Sequence, residues 1–358
     1  MDVKRKVCVI GATGIAGQQF LACLKEHPWF EITALAASPR NAGKPYREAL
    51  KQANGSIGWW CSDMPSEHLL NMEILDGNTL DPEPYDIIFT AVESDAAREL
   101  EPRLAAAKPV FSTASAFRMA NDVPIILPGV NSNHLSMVER QRKERGWNGF
   151  VLPIPNCTTT GLGIALAPLY REFGIQFVVM TSMQAVSGAG RNGGVLALDV
   201  VDNLVPYIPK EEQKVQAETQ KILGVVNDGH VDPAKFGVTC TCTRVAVLDG
   251  HTETVAVSLE KPATVAEARA AMEALGNELE GLPSAPSALI RVHDDPFRPQ
   301  PRLDRDLENG MVTSVGRLRE DDVLPNGLKF VLVSHNTKMG AAAGATLVAE
   351  LAVREGLA

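Results

Sequence analysis

A cysteine that precedes a helical segment is the first group in this sequence able to act as a nucleophile. Cys157 lies in the string PNCTTTG, directly before the apolar residues 162–170, and this pattern predicts that a helix begins at or just after the cysteine. A helix N-terminus lowers a thiol pKa by roughly one unit, so activation also needs a neighbouring cation. Alone, such a cysteine is more often a buried, unreactive side chain, and the hypothesis of a nucleophile depends on partners elsewhere in the chain.

A base and a cation follow in a later segment. The string RVAVLDGHTE indicates a strand that contains Arg244 and ends in an Asp-Gly turn, which places His251 at the start of the next strand. A lone histidine in a turn is usually a surface residue, but an imidazole near Cys157 would suit proton transfer, and its protonated form would supply the cation. Because an unpaired arginine is costly to bury in an apolar strand, we expect Arg244 to bind a carboxylate.

The glycine-rich turn after the first strand is typical of a dinucleotide site. The string GATGIAG joins a strand at 6–10 to a helix at 15–25, and its glycines allow backbone N–H groups to reach a pyrophosphate at the helix N-terminus. The GxxGxxG spacing differs from GxGxxG, so the position in a βαβ unit is what favours a cofactor over a structural turn. The expected contacts are Gly11, Thr13, Gly14 and Ile15.

The segment after the second strand favours NADP(H) over NAD as the cofactor. NAD sites carry an acidic residue about 20 residues after the glycine turn, where it holds the ribose hydroxyl. This chain has the string SPRNAGK there, without a carboxylate. Ser38 and Arg40 suit a 2'-phosphate, and Lys44 is a possible further cation. The alternative is that Arg40 and Lys44 are only solvated loop charges.

The elements that must position these groups predict an α/β protein. Strands at 6–10, 31–37, 85–92 and 108–112 alternate with helices, which indicates a Rossmann-type doubly wound parallel sheet in the first 150 residues or so. Longer strands follow residue 155, which indicates an α+β second domain. They are predicted at 176–186, 238–248 and 252–259, with a helix at 265–279.

The chain is expected to divide into two domains. Residues 1–153 with 336–358 form the cofactor domain, because a small-residue helix at 340–354 is expected to return to the first sheet. Residues 154–335 form the catalytic and dimerisation domain.

Composition excludes several classes of protein. The chain has 34 Lys and Arg against 43 Asp and Glu, and the net charge of −9 argues against nucleic acid or an anionic membrane as a partner. No apolar run approaches the 18 or so residues that cross a bilayer. The six cysteines include no CxxC pair, so we expect a cytoplasmic protein in a reducing compartment without a bound metal.

Nine strings, in order along almost the entire chain, resemble a single family. The sequence is similar to the aspartate-semialdehyde dehydrogenases, and most closely to their archaeal and fungal branch. The strings are GATGIAG, SPRNAGK, PNCTTTGL, QAVSGAG, DNLVPYIPKEEQKVQAET, RVAVLDGHTE, RPQPRLDRD, GMVTSVGR and NTKMGAAAGAT.

The resemblance implies roles for the residues around the thiol. Cys157 matches the family's nucleophile, His251 its acid/base, and Arg244 the residue that holds the substrate carboxylate. Glu211 matches the contact to the substrate's amino group, and Gln184 the amide that orients the substrate near the sulfur. The positions associated with the phosphate are Lys214, Arg118 and Asn156. The loop that closes around the cofactor contains Ser187, Gly188 and Gly190, and Asn336 lies in the segment near the nicotinamide.

The resemblance also implies the reaction. NADPH-dependent reductive dephosphorylation of L-4-aspartyl phosphate would give L-aspartate 4-semialdehyde, reversibly, through a Cys157 thioester, in lysine, threonine and methionine biosynthesis. Backbone N–H groups at the start of the Thr158 helix are candidates for stabilising the oxyanion, and the sequence does not show their direction. The family implies a homodimer or homotetramer.

Other functions stay open from the sequence. A malonyl-CoA or succinyl-CoA reductase would use the same cysteine chemistry, although Glu211 favours a substrate with an amine. An N-acetylglutamyl-phosphate reductase fits the strings less well, and an NADP-binding module without turnover would not need Cys157 and His251. Arg191 and Ala246 depart from the residues common in the family, and Arg191 leaves open another acyl substrate or an altered cofactor grip.

Overall fold

The N-terminal part of the chain forms a parallel sheet with helices on both faces. The computed structural model describes residues 3–190 and 197–358. The first elements are β1 (Arg5–Ile10), α1 (Ile15–Cys23), β2 (Phe30–Ala37), α2 (Tyr46–Ala49), α3 (Glu67–Asn71), β3 (Ile74–Asp76), β4 (Ile87–Thr90), α4 (Ser94–Ala105), β5 (Pro109–Ser112), α5 (Met137–Arg145) and β6 (Phe150–Pro153). The strand order is β3-β2-β1-β4-β5-β6 and all pairs are parallel, which confirms the doubly wound sheet.

Side-chain alternation in β1 shows why both faces of this sheet need helices. Val7 and Val9 belong to the hydrophobic cluster that includes Phe20 of α1, whereas Cys8 and Ile10 belong to the cluster that includes Leu100 and Leu104 of α4. Successive residues of a strand point to opposite faces, so an uninterrupted apolar strand is stable only when both faces are covered.

The second part of the chain forms a mixed sheet. Its elements are α6 (Cys157–Phe173), β7 (Ile175–Gln184), α7 (Ala197–Val200), α8 (Glu211–Ile222), β8 (Val225–Asn227), β9 (His230–Asp232), β10 (Gly237–Arg244), β11 (His251–Leu259), α9 (Val265–Glu273), β12 (Ile290–Val292), α10 (Pro301–Asp304), β13 (Thr313–Asp321), β14 (Gly327–Ser334) and α11 (Ala342–Arg354). The strand order is β10-β7-β11-β14-β13-β12, with parallel pairs at both edges and antiparallel pairs between them. Strands β8 and β9 form a separate hairpin. The predicted α+β character is confirmed.

One face of the mixed sheet is open in the single chain. Helices α6, α8 and α9 pack on the other face. On the open face, Val179 and Thr181 of β7 pair with Thr239 and Thr241 of β10, and Thr254 of β11 pairs with Thr181. All five side chains are exposed. A contiguous face of valine and threonine suits contact with another protein surface more than with water.

The predicted strand at 238–248 ends earlier, at Arg244. After this residue the chain leaves the sheet and hydrogen-bonds to the loop that follows β7. The carbonyl of Val247 accepts the Val186 N–H at 2.8 Å, and that of Leu248 accepts the Ser187 N–H at 3.2 Å. The apolar pattern predicts a continuous strand because a local pattern does not show which groups form hydrogen bonds with the backbone.

The C-terminal helix returns to the first sheet. Helix α11 packs against α1 and β5, and buried His27 and Glu350 form a 2.8 Å contact between the α1–β2 connection and α11. Across residues 3–190 and 197–358, no helix combines the length and apolar composition that a membrane span requires.

Candidate active site

The predicted nucleophile and the predicted base are in contact, and each is the first residue of a secondary-structure element. Cys157 is the first residue of α6 and His251 the first of β11, and Cys157 Sγ lies 3.2 Å from His251 Nε2. His251 Nδ1 accepts the Ala185 N–H at 3.1 Å. An imidazole that accepts at Nδ1 carries its hydrogen on Nε2, so His251 donates a hydrogen bond to the sulfur of Cys157.

Electrostatics make this a neutral pair in the free protein. Burial raises the pKa of the Cys157 thiol to about 12, and Glu211 also raises it, while Arg244 and Arg118 lower it. Burial lowers the pKa of His251 to about 3, and the nearby Arg244 guanidinium lowers it further. In the free protein these two pKa shifts do not favour an imidazolium as the activating cation. The cations that favour the thiolate are the two guanidinium groups.

The register of the mixed sheet aligns three predicted residues. Arg244 of β10 pairs with Gln184 of β7, and His251 precedes Thr252, which pairs with Met183. Arg244, Gln184 and His251 therefore lie in one row across three strands, on the face that α6 covers. Arg244 donates to the Ala185 carbonyl at 2.7 Å. All three side chains are buried.

A second row lies behind the first on the same face. Cys242 and Glu253 each pair with Ser182 of β7, whose hydroxyl accepts a hydrogen bond from Gln184 at 3.2 Å. Glu253 is fully buried, and neither carboxyl oxygen has a hydrogen-bond partner within the described residues. Burial raises the Glu253 pKa well above its usual 4.5, and Cys242 and Glu211 add to the effect. Glu253 is therefore held in the protonated form.

The loop after β7 covers Arg244 and His251. A Cβ added at Gly188 would lie 3.1 Å from Arg244 Nη1 and 3.1 Å from His251 Cε1, so a side chain there would press on both groups. Gly190 has φ of +69°, and a Cβ there would meet none of the described residues within 4 Å, so its glycine serves the backbone conformation. Arg191 lies outside the described residues.

Asn336 connects this loop to the turn before His251. Its Nδ2 donates to Ser187 Oγ at 2.8 Å, and its Oδ1 accepts the Gly250 N–H at 2.8 Å. Asn336 also lines the cavity described below, as does Ser187. Its amide is thus already engaged in holding the predicted cofactor loop.

Asn156 caps the helix that carries Cys157. Its Oδ1 accepts the N–H groups of Thr158 and Thr159, at 2.9 and 3.3 Å. These two N–H groups are therefore not free to bind an oxyanion, contrary to the expectation from the sequence, because the cap satisfies them. Within the described part of the chain, the Cys157 N–H has no hydrogen-bond partner and is the remaining donor of the first turn.

Helix α8 brings acidic and basic residues to the thiol. Glu211 is buried, and its Oε1 accepts hydrogen bonds from Asn156 Nδ2 at 2.9 Å and Thr158 Oγ1 at 3.3 Å. Lys214, one turn later, has its Nζ 3.9 Å from Glu211 Oε2 and lines the cavity beside Cys157. Arg118 reaches the same cavity from the connection after β5. The predicted phosphate contacts thus line the same cavity as Cys157, and the predicted amine contact is hydrogen-bonded to the residues on either side of Cys157.

The glycine turn places the N-terminus of α1 at the cavity. Gly11 has φ of +85°, and a Cβ there would lie 2.2 Å from the Ala91 carbonyl oxygen, so the turn requires glycine. Helix α1 begins at Ile15, and its N-cap Gly14 has no side chain to satisfy the first N–H groups. Such a terminus binds anions. Thr13, Gly14 and Ile15 line the cavity directly.

One cavity of about 660 Å³ joins these parts. It extends from the α1 N-terminus and Arg40 to Cys157. Ser38 is exposed and does not line it, whereas Arg40 does. The lining segments that the sequence interpretation missed include 91–94 and 113–115, which follow β4 and β5, and 49–52. The rule that ligands bind at the carboxyl ends of parallel strands would have identified the first two.

Comparisons with known proteins match both parts of the chain. The family model for "Semialdehyde dehydrogenase, NAD binding domain" matches residues 6–138. The model for "Semialdehyde dehydrogenase, dimerisation domain" matches residues 166–339. Together they cover well over half of the sequence.

Individual relatives match over nearly their full lengths. The aspartate-semialdehyde dehydrogenase of Methanothermobacter thermautotrophicus is 46% identical over 348 residues, which cover 96% of this chain and 98% of the relative. That of Aspergillus fumigatus is 41% identical, with coverage of 99% and 98%. A crystal structure of the Candida albicans aspartate-semialdehyde dehydrogenase with NADP has a TM-score of 0.87 and 37% identity, covering 99% of this chain and 100% of that one. The chain therefore belongs to the aspartate-semialdehyde dehydrogenase family.

Proposed function

We propose that this protein is an NADP-dependent aspartate-semialdehyde dehydrogenase, which reduces L-4-aspartyl phosphate to L-aspartate 4-semialdehyde and releases phosphate, reversibly. The observation that carries the proposal is the 3.2 Å contact of Cys157 with His251, at one end of a cavity whose other end is a glycine-turn helix N-terminus. The full-length relatives named for this activity support it.

The residues at the far end of the cavity fit NADP(H). The α1 N-terminus at Gly14 and Ile15 suits the pyrophosphate. Arg40 lines the cavity after β2, where NAD sites carry a carboxylate, and suits a 2'-phosphate. A relative with 37% identity was solved with NADP. When bound, NADPH supplies the hydride that converts a Cys157 thioester into an aldehyde.

The chain's own groups perform the acyl transfer. The Cys157 thiolate forms a carbon–sulfur bond with the acyl carbon of the substrate as the bond from that carbon to the phosphate oxygen breaks, and phosphate leaves. Arg244 and Arg118 favour the thiolate electrostatically, and the His251 Nε2–H donates to the sulfur. We expect the Cys157 N–H to donate to the oxyanion, because it is the donor of the first turn that the Asn156 cap leaves free among the described residues. The thiol proton ends on the departing phosphate, and the thiolate released with the aldehyde takes a proton from solvent. His251, with its hydrogen on Nε2, stabilises the thiolate as a hydrogen-bond donor. The acid/base role that the family implies for His251 would need the other tautomer.

Substrate selection follows from the charges around the sulfur. Arg244 binds the α-carboxylate, Glu211 the amino group, and Gln184 orients the chain, while Lys214 and Arg118 bind the phosphate. Glu211 is 6% exposed, and within residues 3–190 and 197–358 its partners are two neutral donors and Lys214, 3.9 Å away.

A malonyl-CoA or succinyl-CoA substrate would leave the Glu211 charge buried without a cation from the ligand, which is unfavourable. The CoA-ester reductases are therefore the less favoured function.

The test is a spectrophotometric assay of the purified protein. NADPH absorbance is followed with L-aspartate semialdehyde, NADP and phosphate or arsenate, and separately with malonyl-CoA or succinyl-CoA and NADPH. We expect phosphate-dependent oxidation of the semialdehyde, no reduction of CoA esters, and loss of activity in Cys157→Ser with NADP binding retained. CoA-ester reduction without semialdehyde oxidation would contradict the proposed substrate. Activity that survives Cys157→Ser would contradict the thioester mechanism.

We propose that the open face of the mixed sheet forms a homodimer interface. The matched family model is a dimerisation domain that spans this sheet, and the exposed Val179 lies at its centre. Light scattering should give a dimer or a tetramer for the wild type, and Val179→Glu should weaken the assembly. Val323→Glu, at a residue 87% exposed in the β13–β14 turn, is the matched control. A monomeric wild type would contradict the proposal.

The proposed function agrees with the domain division and with the cellular location that we predict from the sequence. The cofactor domain comprises residues 1–153 and 336–358, and residues 154–335 form the catalytic and dimerisation domain. Both the packing of α11 on α1 and the start of α6 at Cys157 support these boundaries. A cytoplasmic location is expected because the reaction needs a free thiol, and all six cysteines are free.

A further inference from the structure

One carboxylate on α8 connects two parts of the site and has no role in the function described above. Glu218 is 2% exposed. Its Oε1 accepts a hydrogen bond from Arg118 Nη1 at 3.0 Å, and its Oε2 accepts the backbone N–H of Asn156 at 2.6 Å. Asn156 caps the helix that begins at Cys157. The same side chain therefore holds the cation at the phosphate end and the turn that precedes the nucleophile.

A lysine on the same helix holds the backbone around Arg118. Lys221 is buried, and its Nζ donates to the carbonyls of Arg118, Ala120 and Val123, at 2.7, 2.8 and 2.7 Å. Three carbonyls satisfy all three hydrogens of an ammonium group. Arg118 is thus fixed twice from α8, through its side chain by Glu218 and through its main chain by Lys221.

Helical spacing explains why one helix serves all of these contacts. Glu211, Lys214, Glu218 and Lys221 are separated by three, four and three residues, which puts them on one face of α8. The first two lie next to the sulfur and the last two hold the Arg118 connection. Because the helix is rigid, the distance between the amine contact and the phosphate contact is set by α8.

We propose that Glu218 is a positioning residue for the phosphate group of the acyl phosphate, acting through Arg118. This inference rests on the proposed function. Arg118 also donates to the Thr113 carbonyl at 2.9 Å, so with Glu218 its guanidinium is held in one orientation at the cavity wall. Without the carboxylate, the long arginine side chain gains rotamers, and phosphate binding must then order it again.

The experiment measures Glu218→Gln in the oxidative direction. Arg118 and Asn156 donate to different oxygens of Glu218, and in glutamine one of these oxygens becomes an NH₂ donor that faces one of the two donors. We expect the KM for phosphate to rise about tenfold, as for loss of one hydrogen bond between charged groups. The KM for NADP should stay within about twofold of the wild type. Glu172→Gln, an exposed position at the end of α6, is the control and should change nothing.

A double-mutant cycle separates positioning from a general structural role. In an Arg118→Ala background the phosphate KM is already raised, and adding Glu218→Gln should raise it little further, because the two residues act through one contact. If Glu218→Gln does not fold, as judged by circular dichroism and NADP binding, Glu218→Asp replaces it, with the same expected direction.

Three outcomes are decisive for the assignment. A phosphate KM within twofold of the wild type, additive effects in the cycle, or an equal change in the KM for NADP would each overturn the role of Glu218. A wild-type protein without phosphate-dependent activity would instead refute the proposed function itself, so the two failures are distinguishable.

Discussion

The neutral state of the Cys157–His251 pair predicts how the thiol reacts in the free enzyme. An imidazolium–thiolate pair would hold the sulfur ionised over a wide pH range, so that its alkylation rate would reach a plateau in acid. Here the thiol pKa lies at about 12 and the histidine pKa at about 3, both because of burial. We therefore expect alkylation by iodoacetamide to accelerate about tenfold for each pH unit from pH 6 to pH 10, without a plateau.

The size of the effect follows from the thiolate fraction. At pH 8 a thiol of pKa about 12 is ionised in about one molecule in 10⁴, whereas a thiol at the ordinary value of 9.0 is ionised in about one in ten. Cys157 should therefore react about a thousandfold more slowly than an exposed thiol at this pH. Replacing His251 by Asn removes the Nε2–H donor and should slow alkylation further without changing the slope.

The assay quantifies carboxamidomethylation of the Cys157 peptide by mass spectrometry. The other five cysteines are also free. Their alkylation is measured on their own peptides, and the Cys157→Ser variant confirms which signal comes from Cys157. A plateau in the wild-type rate below pH 8 that disappears in His251→Asn would show an ion pair. That result would refute the neutral pair and the assignment of the activating charge to the guanidinium groups.

Two further predictions concern the site's packing and its buried acid. Gly188→Ala would press a methyl group on His251, 3.1 Å away, so kcat/KM should fall about tenfold or more. Gly190→Ala meets none of the described residues and should cost only about 1 kcal/mol of stability from its positive φ. Kinetics and thermal melts measure both effects. Equal losses of kcat/KM would contradict this reasoning. Burial raises the pKa of Glu253 in the folded protein above its usual 4.5, so the contribution of this group to stability is lost as the pH rises above 4.5. Glu253→Gln should therefore gain stability relative to wild type as the pH rises above 4.5, by about 1.4 kcal/mol in total for each unit by which folding raises the pKa. The exposed Glu99→Gln should show no such trend in denaturant titrations. A pH-independent difference would show that Glu253 ionises in the folded protein.

The sequence by itself was enough to predict several helices and strands and to identify the reacting side chains. Apolar periodicity and glycine turns predicted β1, α1 and β2 within a residue or two at most ends, and the string around Cys157 predicted the start of α6. The Asp-Gly turn likewise predicted that β11 begins near His251. These features are local, so neighbouring residues contain the information.

Tertiary structure alone decided how these groups act. The row formed by Arg244, Gln184 and His251 depends on the pairing of three strands, and no local pattern encodes that register. Burial raises the pKa of the thiol and lowers that of the imidazole, and no sequence pattern shows how deeply these two groups are buried. Glu218 joins Arg118 to Asn156 only because α8 packs between their segments. Desolvation and long-range contacts arise when distant segments pack together, and for that physical reason they are absent from the sequence pattern.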